Sequence, residues 1–163
     1  MNFIASSSKQ TQSLGAKIAK NILKAENAEG AFIIGLEGDL GAGKTTFLQG
    51  FAKGLGIKET VNSPTFVIMK IYQLPTINHK LSTANYKLFY HFDFYRLQKK
   101  EELLGLGWQK IIANPRNIVA IEWSARFKNV LPENCFKIRL QFLNQNTRKI
   151  TLPKRYYSDE DDS

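Results

Sequence analysis

Ala31-Phe32-Ile33-Ile34-Gly35-Leu36-Glu37-Gly38-Asp39-Leu40-Gly41-Ala42-Gly43-Lys44-Thr45-Thr46 is the stretch on which the fold turns. Ala31 to Leu36 is a nearly continuous apolar run, which is how a strand covered on both faces reads. Gly38 to Thr45 fits G-x-x-x-x-G-K-S/T, the phosphate loop. Thr45 to Leu55 then places Phe47, Leu48, Phe51 and Leu55 on one side of a helix, which Gly54 or Gly56 can end. A random chain of 163 residues matches the loop pattern alone on the order of once in a few hundred. A buried strand before it and a helix after it are the context the motif requires.

The residue types follow from the chemistry. Glycines allow successive backbone N–H groups to turn inward around phosphates. The helix start adds its partial positive charge. Lys44 is long enough to reach β- and γ-phosphates, and the Thr45 hydroxyl suits Mg²⁺, a hard cation that takes oxygen. A nucleoside triphosphate site with Mg²⁺ is the expectation.

Outward from this centre, strands and helices alternate, so an α/β fold is expected. Asn2 to Ala5 reads as a short strand. Ser6, Ser7 and Ser8 offer N-caps for a helix whose apolar face is Leu14, Ile18 and Ile22. Glu26 to Gly30 is a polar loop. Phe66 to Tyr72, Tyr86 to Asp93 and Asn117 to Glu122 read as strands. Gln73 to Asn85, polar and holding Pro75, reads as a long surface loop. Glu101 to Ala113 reads as helical with a break near Gly105 and Gly107. Phe136, Ile138, Leu140 and Phe142 alternate with polar residues, a strand with one wet face. Asn144 to Asn146 makes a turn, and Lys149 to Leu152 pairs back as a hairpin.

Apolar residues make up 43% of the chain and charged residues 23%, ordinary for a soluble globular protein. One domain over residues 1–153 is expected, followed by an acidic, solvated and disordered tail over 154–163. The single cysteine, Cys135, excludes an internal disulfide and reads as a small core residue. With no secretory signal and no apolar run of membrane-spanning length, the expected location is cytoplasmic. Net charge is +9, and four acidic side chains crowd the last six residues, so the body ahead of them is more basic still. That balance suits nucleic acid or an acidic partner. An excess of lysine over arginine, beside plentiful Asn and Ile, can equally reflect codon bias.

A hydrolase of this kind also needs a carboxylate beside Mg²⁺. Two apolar runs end in acids, Leu88 to Asp93 and Ile118 to Glu122. Strand C-terminal ends gather beside the phosphate loop in open α/β sheets, so either acid can serve there. Residue chemistry alone leaves the two unranked. Asn62-Ser63-Pro64-Thr65-Phe66 lies where nucleotide switches place a threonine that reports the γ-phosphate. Trp123 and Trp108 read first as core or interface residues. His91 alternates with core positions, and with no partner pattern neither it nor His79 is expected as a ligand or base. No Asn-Lys-x-Asp motif appears, which argues against GTP, and no arginine-rich lid of the nucleotide-kinase type is present.

Five segments occur in order: Gly38 to Thr46, Asn62 to Phe66, His91-Phe92-Asp93-Phe94-Tyr95-Arg96-Leu97, Glu101 to Gly107, and Ile121-Glu122-Trp123. Together they resemble the TsaE (YjeE) family of small bacterial ATPases, from about Asn2 to Leu152. The resemblance implies a P-loop NTPase-like three-layer fold around a mixed central sheet. It implies ATP and Mg²⁺ as cofactors. Its implied role is an accessory ATPase in forming threonylcarbamoyladenosine on tRNA, acting on the partner proteins TsaD and TsaB between turnovers, with tRNA reached through that assembly.

Carried over by position, Lys44 and the backbone of Leu40, Gly41, Ala42, Gly43, Lys44, Thr45 and Thr46 would bind phosphates. Thr45 and Glu122 would hold Mg²⁺, and Asp93 is the Walker B candidate. Thr65 matches the switch-like threonine, Trp123 a tryptophan beside the nucleotide, and Thr11 a threonine near it. Three departures stand out: Ser124-Ala125 where the family usually has Pro-Glu, the longer loop at 73–85, and the acidic tail. Two rival readings are a small-molecule kinase, which would phosphorylate an acceptor, and a nucleotide-gated binding module with no turnover. Glu122→Ala separates them, since a pure binder has no rate to lose.

Overall fold

The computed structural model describes residues 1–25, 29–63, 67–75 and 85–157. In chain order its strands are β1 (Asn2–Ala5), β2 (Phe32–Glu37), β3 (Met69–Gln73), β4 (Leu88–Asp93), β5 (Asn117–Glu122), β6 (Phe136–Phe142) and β7 (Arg148–Thr151). Its α-helices are α1 (Ser8–Lys24), α2 (Lys44–Gly54), α3 (Glu101–Gly105) and α4 (Trp108–Ala113), with 3₁₀ turns at Ser124–Val130 and Lys154–Tyr156. The strands form one sheet in the order β1-β7-β6-β2-β5-β4-β3. The inner four, β6, β2, β5 and β4, run parallel, while β7, β1 and β3 pair antiparallel at the margins. The sheet is therefore mixed, as expected.

Alternation along the strands explains the layers. Ile34 and Leu36 of β2 and Ile118 and Ala120 of β5 share one apolar cluster with α1 and α2. Ile33 of β2 and Val119 and Ile121 of β5 share the other, with Leu103 of α3 and Trp108 and Ile111 of α4. Both faces are covered, which is why these strands read as unbroken apolar runs. Burying one such side chain contributes about 1.5–3 kcal/mol, and the central strands carry many.

α1 and α2 cross at backbone contact. A Cβ added at Gly50 would lie 2.0 Å from the Gln12 carbonyl oxygen, one at Gly15 2.4 Å from that of Phe47, and one at Gly54 2.5 Å from that of Ala16. Only glycine fits at these three sites. Gly54, read from sequence as a possible terminator, is helical, and the terminator is Gly56 at φ +85°. There the N–H of Ile57 donates to Ala52 O and that of Gly56 to Lys53 O, a Schellman motif.

Other boundaries moved as well. The strand expected over 66–72 runs from Met69 to Gln73, antiparallel to β4. The helical stretch 101–113 divides at Gly107, whose φ of +76° starts α4. The tail expected from residue 154 begins later: Asn21 Nδ2 donates to Tyr156 O, and the Tyr156 ring packs edge-on against Phe32 and Phe136. Residues 158–163, and 76–84 of the expected long loop, lie outside the described residues. Cys135 is buried in the α3–α4 cluster, and burial pushes its thiol up to about 11.

Candidate functional site

The sheet topology brings the phosphate loop and both strand-end acids together. β2 lies between β6 and β5, β4 follows β5, and all four run parallel, so their C-terminal ends share one edge. The register sets Asp93 opposite Glu122. Counting by twos, Phe89, His91 and Asp93 of β4 and Ile118, Ala120 and Glu122 of β5 share the face under α2.

A cavity of about 470 Å³ opens at that edge. Of the residues singled out in the sequence, it is lined by Thr11, Leu40, Gly41, Gly43, Lys44, Thr45, Thr46, Asp93, Glu122 and Trp123. Two differ. Ala42 is fully buried and its N–H donates to Asp39 O, so it closes the loop from behind. Thr65 lies outside the described residues.

The two helix starts at the cavity contrast. α1 is capped by Ser7, whose Oγ accepts from Gln10 N. Gln10 Oε1 in turn accepts from Ser6 N. α2 has Gly43 as its N-cap, in the left-handed region at φ 96°, and no side chain caps it. An uncapped helix start presents N–H groups and partial positive charge to an anion.

Lys44 is buried, at 5% exposure. Its Nζ donates to the carbonyls of Gly38 at 2.7 Å and Asp39 at 2.9 Å. The same nitrogen stands 3.6 Å from the centroid of the Trp123 ring, a close cation–π contact. Desolvation lowers its pKa, opposed in part by Glu122, Asp39 and Asp93. Trp123 itself has φ 60°, the single non-glycine residue at positive φ among those described. Such a conformation costs about 1–3 kcal/mol and persists where the surroundings impose it. Here it turns the ring over Lys44 and against Tyr95, with centroids 5.0 Å apart.

Thr45 Oγ1 donates to Glu122 Oε2 at 2.9 Å. Asp93 Oδ2 accepts from Ser63 Oγ at 2.7 Å, and its Oδ1 accepts from Tyr95 N at 2.9 Å. Each acid is thereby held in one orientation. Residue reading missed a further member of the set. His91 is fully buried, and its Nε2 lies 2.9 Å from Glu122 Oε1. The signal was present: His91 and Asp93 are two apart on one strand, and parallel pairing with β5 sets His91 diagonal to Glu122. The β6–β7 turn was also missed as a wall of the site, supplying Gln145, Asn146 and Arg148. Thr11 donates to Ser7 O at 3.4 Å and faces the cavity from α1.

A glycine-rich loop between a central parallel strand and its helix, facing strand-end acids in a three-layer sheet, defines a P-loop fold. Comparison with known proteins narrows this. The family model for "Threonylcarbamoyl adenosine biosynthesis protein TsaE" matches residues 5–150. Similar chains carrying the description tRNA threonylcarbamoyladenosine biosynthesis protein TsaE include one from Bacillus subtilis, 37% identical over 80% of this chain and 74% of its own. One from Rickettsia typhi is 34% identical over 86% of this chain and 92% of its own. The crystal structure of Bacillus subtilis YdiB superposes with a TM-score of 0.66 at 29% identity, covering 96% of this chain and 88% of that one. The chain belongs to the TsaE family.

Proposed function

We propose that this chain binds and hydrolyses ATP, with Mg²⁺, as an accessory ATPase in forming threonylcarbamoyladenosine on tRNA. In this reading it acts on the TsaD–TsaB pair between turnovers and meets tRNA through that assembly, in the cytoplasm. Family membership supports the pathway. The observation that carries the ATPase reading is the convergence of Lys44 and Thr45 with Glu122 and Asp93 on one cavity.

The donor set suits Mg²⁺. A hydroxyl beside a carboxylate, with a second carboxylate in the adjoining register, is a hard-oxygen set. Mg²⁺ characteristically takes one or two protein carboxylates and completes its shell with phosphate and water oxygens. Thr45 and Glu122 would hold it, with Asp93 beside them. Bound there, it would neutralise charge on the phosphates.

The other residues act directly. Lys44 exchanges the Gly38 and Asp39 carbonyls for phosphate oxygens, and Trp123 holds its stem in line. The uncapped N–H groups opening α2 receive phosphate, while Ala42 keeps the loop's curvature. Asp93, fixed by Ser63 and Tyr95, is placed to orient the attacking water and take its proton. Thr65, two residues beyond Ser63, would report the γ-phosphate. Leu40 is 87% exposed and Tyr95 58% exposed, and both line the cavity. A partner covering this apolar rim would exclude water and complete the site, so hydrolysis is expected to be slow alone. The test is ATP turnover by the purified chain, alone and with TsaD and TsaB. Stimulation by the pair that Lys44→Ala abolishes supports the reading, and tight ATP binding without stimulation counts against it.

No described helix is long and apolar enough to cross a membrane. The body over residues 1–153, extended by the 154–157 turn, is proposed as the single ATPase domain.

A further inference from the structure

The phosphate machinery uses one wall of the cavity and leaves another without a role. That second wall is the β6–β7 turn. Asn144 Oδ1 accepts from the N–H groups of Asn146 and Thr147, which fixes the turn from within. Arg148 then fixes it from outside. Its Nη1 donates to Asn144 O at 2.8 Å and Thr147 O at 3.0 Å, and its Nε donates to Gly41 O at 3.2 Å. Arg148 therefore ties the turn directly to the phosphate loop, and its guanidinium packs over the Phe142 ring at 4.6 Å.

Between these anchors stand Gln145 and Asn146, both lining the cavity. Neither side-chain amide has a hydrogen-bond partner among the described residues, although the backbone on either side is pinned. A tethered turn that presents two unengaged amides to a phosphate-binding cavity has the form of a reading head.

We infer that the β6–β7 turn is the base-recognition subsite, with Gln145 and Asn146 reading the adenine edge and Arg148 positioning them against the phosphate loop. This rests on the triphosphate reading of the previous section. The chemistry favours adenine. A carboxamide carries a donor and an acceptor side by side, which pairs with the acceptor and amino donor along an adenine edge. Guanine's N1–H and amino group instead call for a carboxylate, and residues 144–148 contain none. The Arg148 tether to Gly41 sets the spacing between base reader and phosphate loop, so that a single nucleotide spans both.

The test compares ligands with and without a base. Mg²⁺-ATP, Mg²⁺-GTP and Mg²⁺-tripolyphosphate are titrated calorimetrically into the wild type, the Gln145→Ala/Asn146→Ala double variant and Lys44→Ala, with thermal unfolding as the fold check. The double variant is expected to bind ATP about tenfold more weakly, as loss of one to two neutral hydrogen bonds implies. It should bind tripolyphosphate as the wild type does and no longer prefer ATP to GTP. Unchanged ATP affinity, or equal weakening of ATP and tripolyphosphate, overturns the base assignment while leaving the phosphate site standing. Tripolyphosphate binding unaffected by Lys44→Ala overturns the phosphate reading, and the base assignment with it.

Discussion

The two faces of the sheet are built by opposite means. On the α1–α2 face the helices meet backbone to backbone through Gly15, Gly50 and Gly54, with added Cβ atoms falling 2.0–2.5 Å from carbonyl oxygens. On the other face short helices are held by large rings: Trp108 packs edge-on against Phe92, and Phe94 contacts both Trp108 and Phe127. The difference teaches where precision is needed. α2 carries Lys44 and Thr45 at its first turn, so a fixed crossing with α1 fixes the phosphate loop. The aromatic face supports the strand ends and the Ser124–Val130 turn, where side-chain rings can shift a little without moving the loop.

The largest expected effect breaks the first face. Gly50→Ala places a methyl into the Gln12 backbone, which cannot move as a side-chain tip can. It is expected to lose about 3 kcal/mol or more in denaturant unfolding. A loss below about 1 kcal/mol would show that the crossing is looser than described.

Next in size is His91→Phe, which keeps bulk while removing the partner of Glu122. Groups that orient metal-binding carboxylates typically govern tenfold or more in metal affinity. Mg²⁺-dependent ATP binding should weaken by about tenfold, with Mg²⁺-free binding little altered; equal weakening of both would make His91 merely structural.

Phe94→Leu sharpens the contrast between the faces. It removes part of a ring from the aromatic cluster and should cost about 1 kcal/mol, less than the single methyl at Gly50. A larger cost than that of Gly50→Ala would reverse the comparison.

The smallest effect concerns Cys135 on the aromatic face, whose thiol is pushed up to about 11 by burial. The unfolded thiol gives up its proton near its ordinary value while the folded one keeps it, so the folded state binds more protons in that window. Stability from this group is therefore full below the ordinary thiol range and falls as pH rises toward about 11. The decline should stay under about 1 kcal/mol by pH 9. Cys135→Ala should remove it, as pH-dependent unfolding would reveal.

Much of this architecture is legible in the sequence because it is local or periodic. The β2–loop–α2 unit announces itself through an apolar run, spaced glycines and a helical stripe. The β6–β7 hairpin follows from its alternation and turn. What stayed hidden depends on pairs far apart in the chain. Gly15 and Gly50 look like ordinary helix glycines until the two helices cross. His91 seemed partnerless because its partner sits on the next strand. Gln145, Asn146 and Arg148 carry no motif, and only the sheet order brings their turn against Gly41. Thr11, Lys44, Thr45, Asp93, Glu122 and Trp123 could be placed in advance because the family pattern spans the whole chain and not because any local rule joins them.

The central claim is that the phosphate loop, set by α1–α2 packing, binds Mg²⁺-ATP through Lys44. Its most direct test is calorimetric titration of Mg²⁺-ATP into the wild type and into Lys44→Ala, both shown to be folded by their melting profiles. The account predicts saturable one-to-one binding by the wild type and at least a hundredfold loss in the variant, on the scale of one buried charged contact. Equal affinity in the two proteins would contradict it.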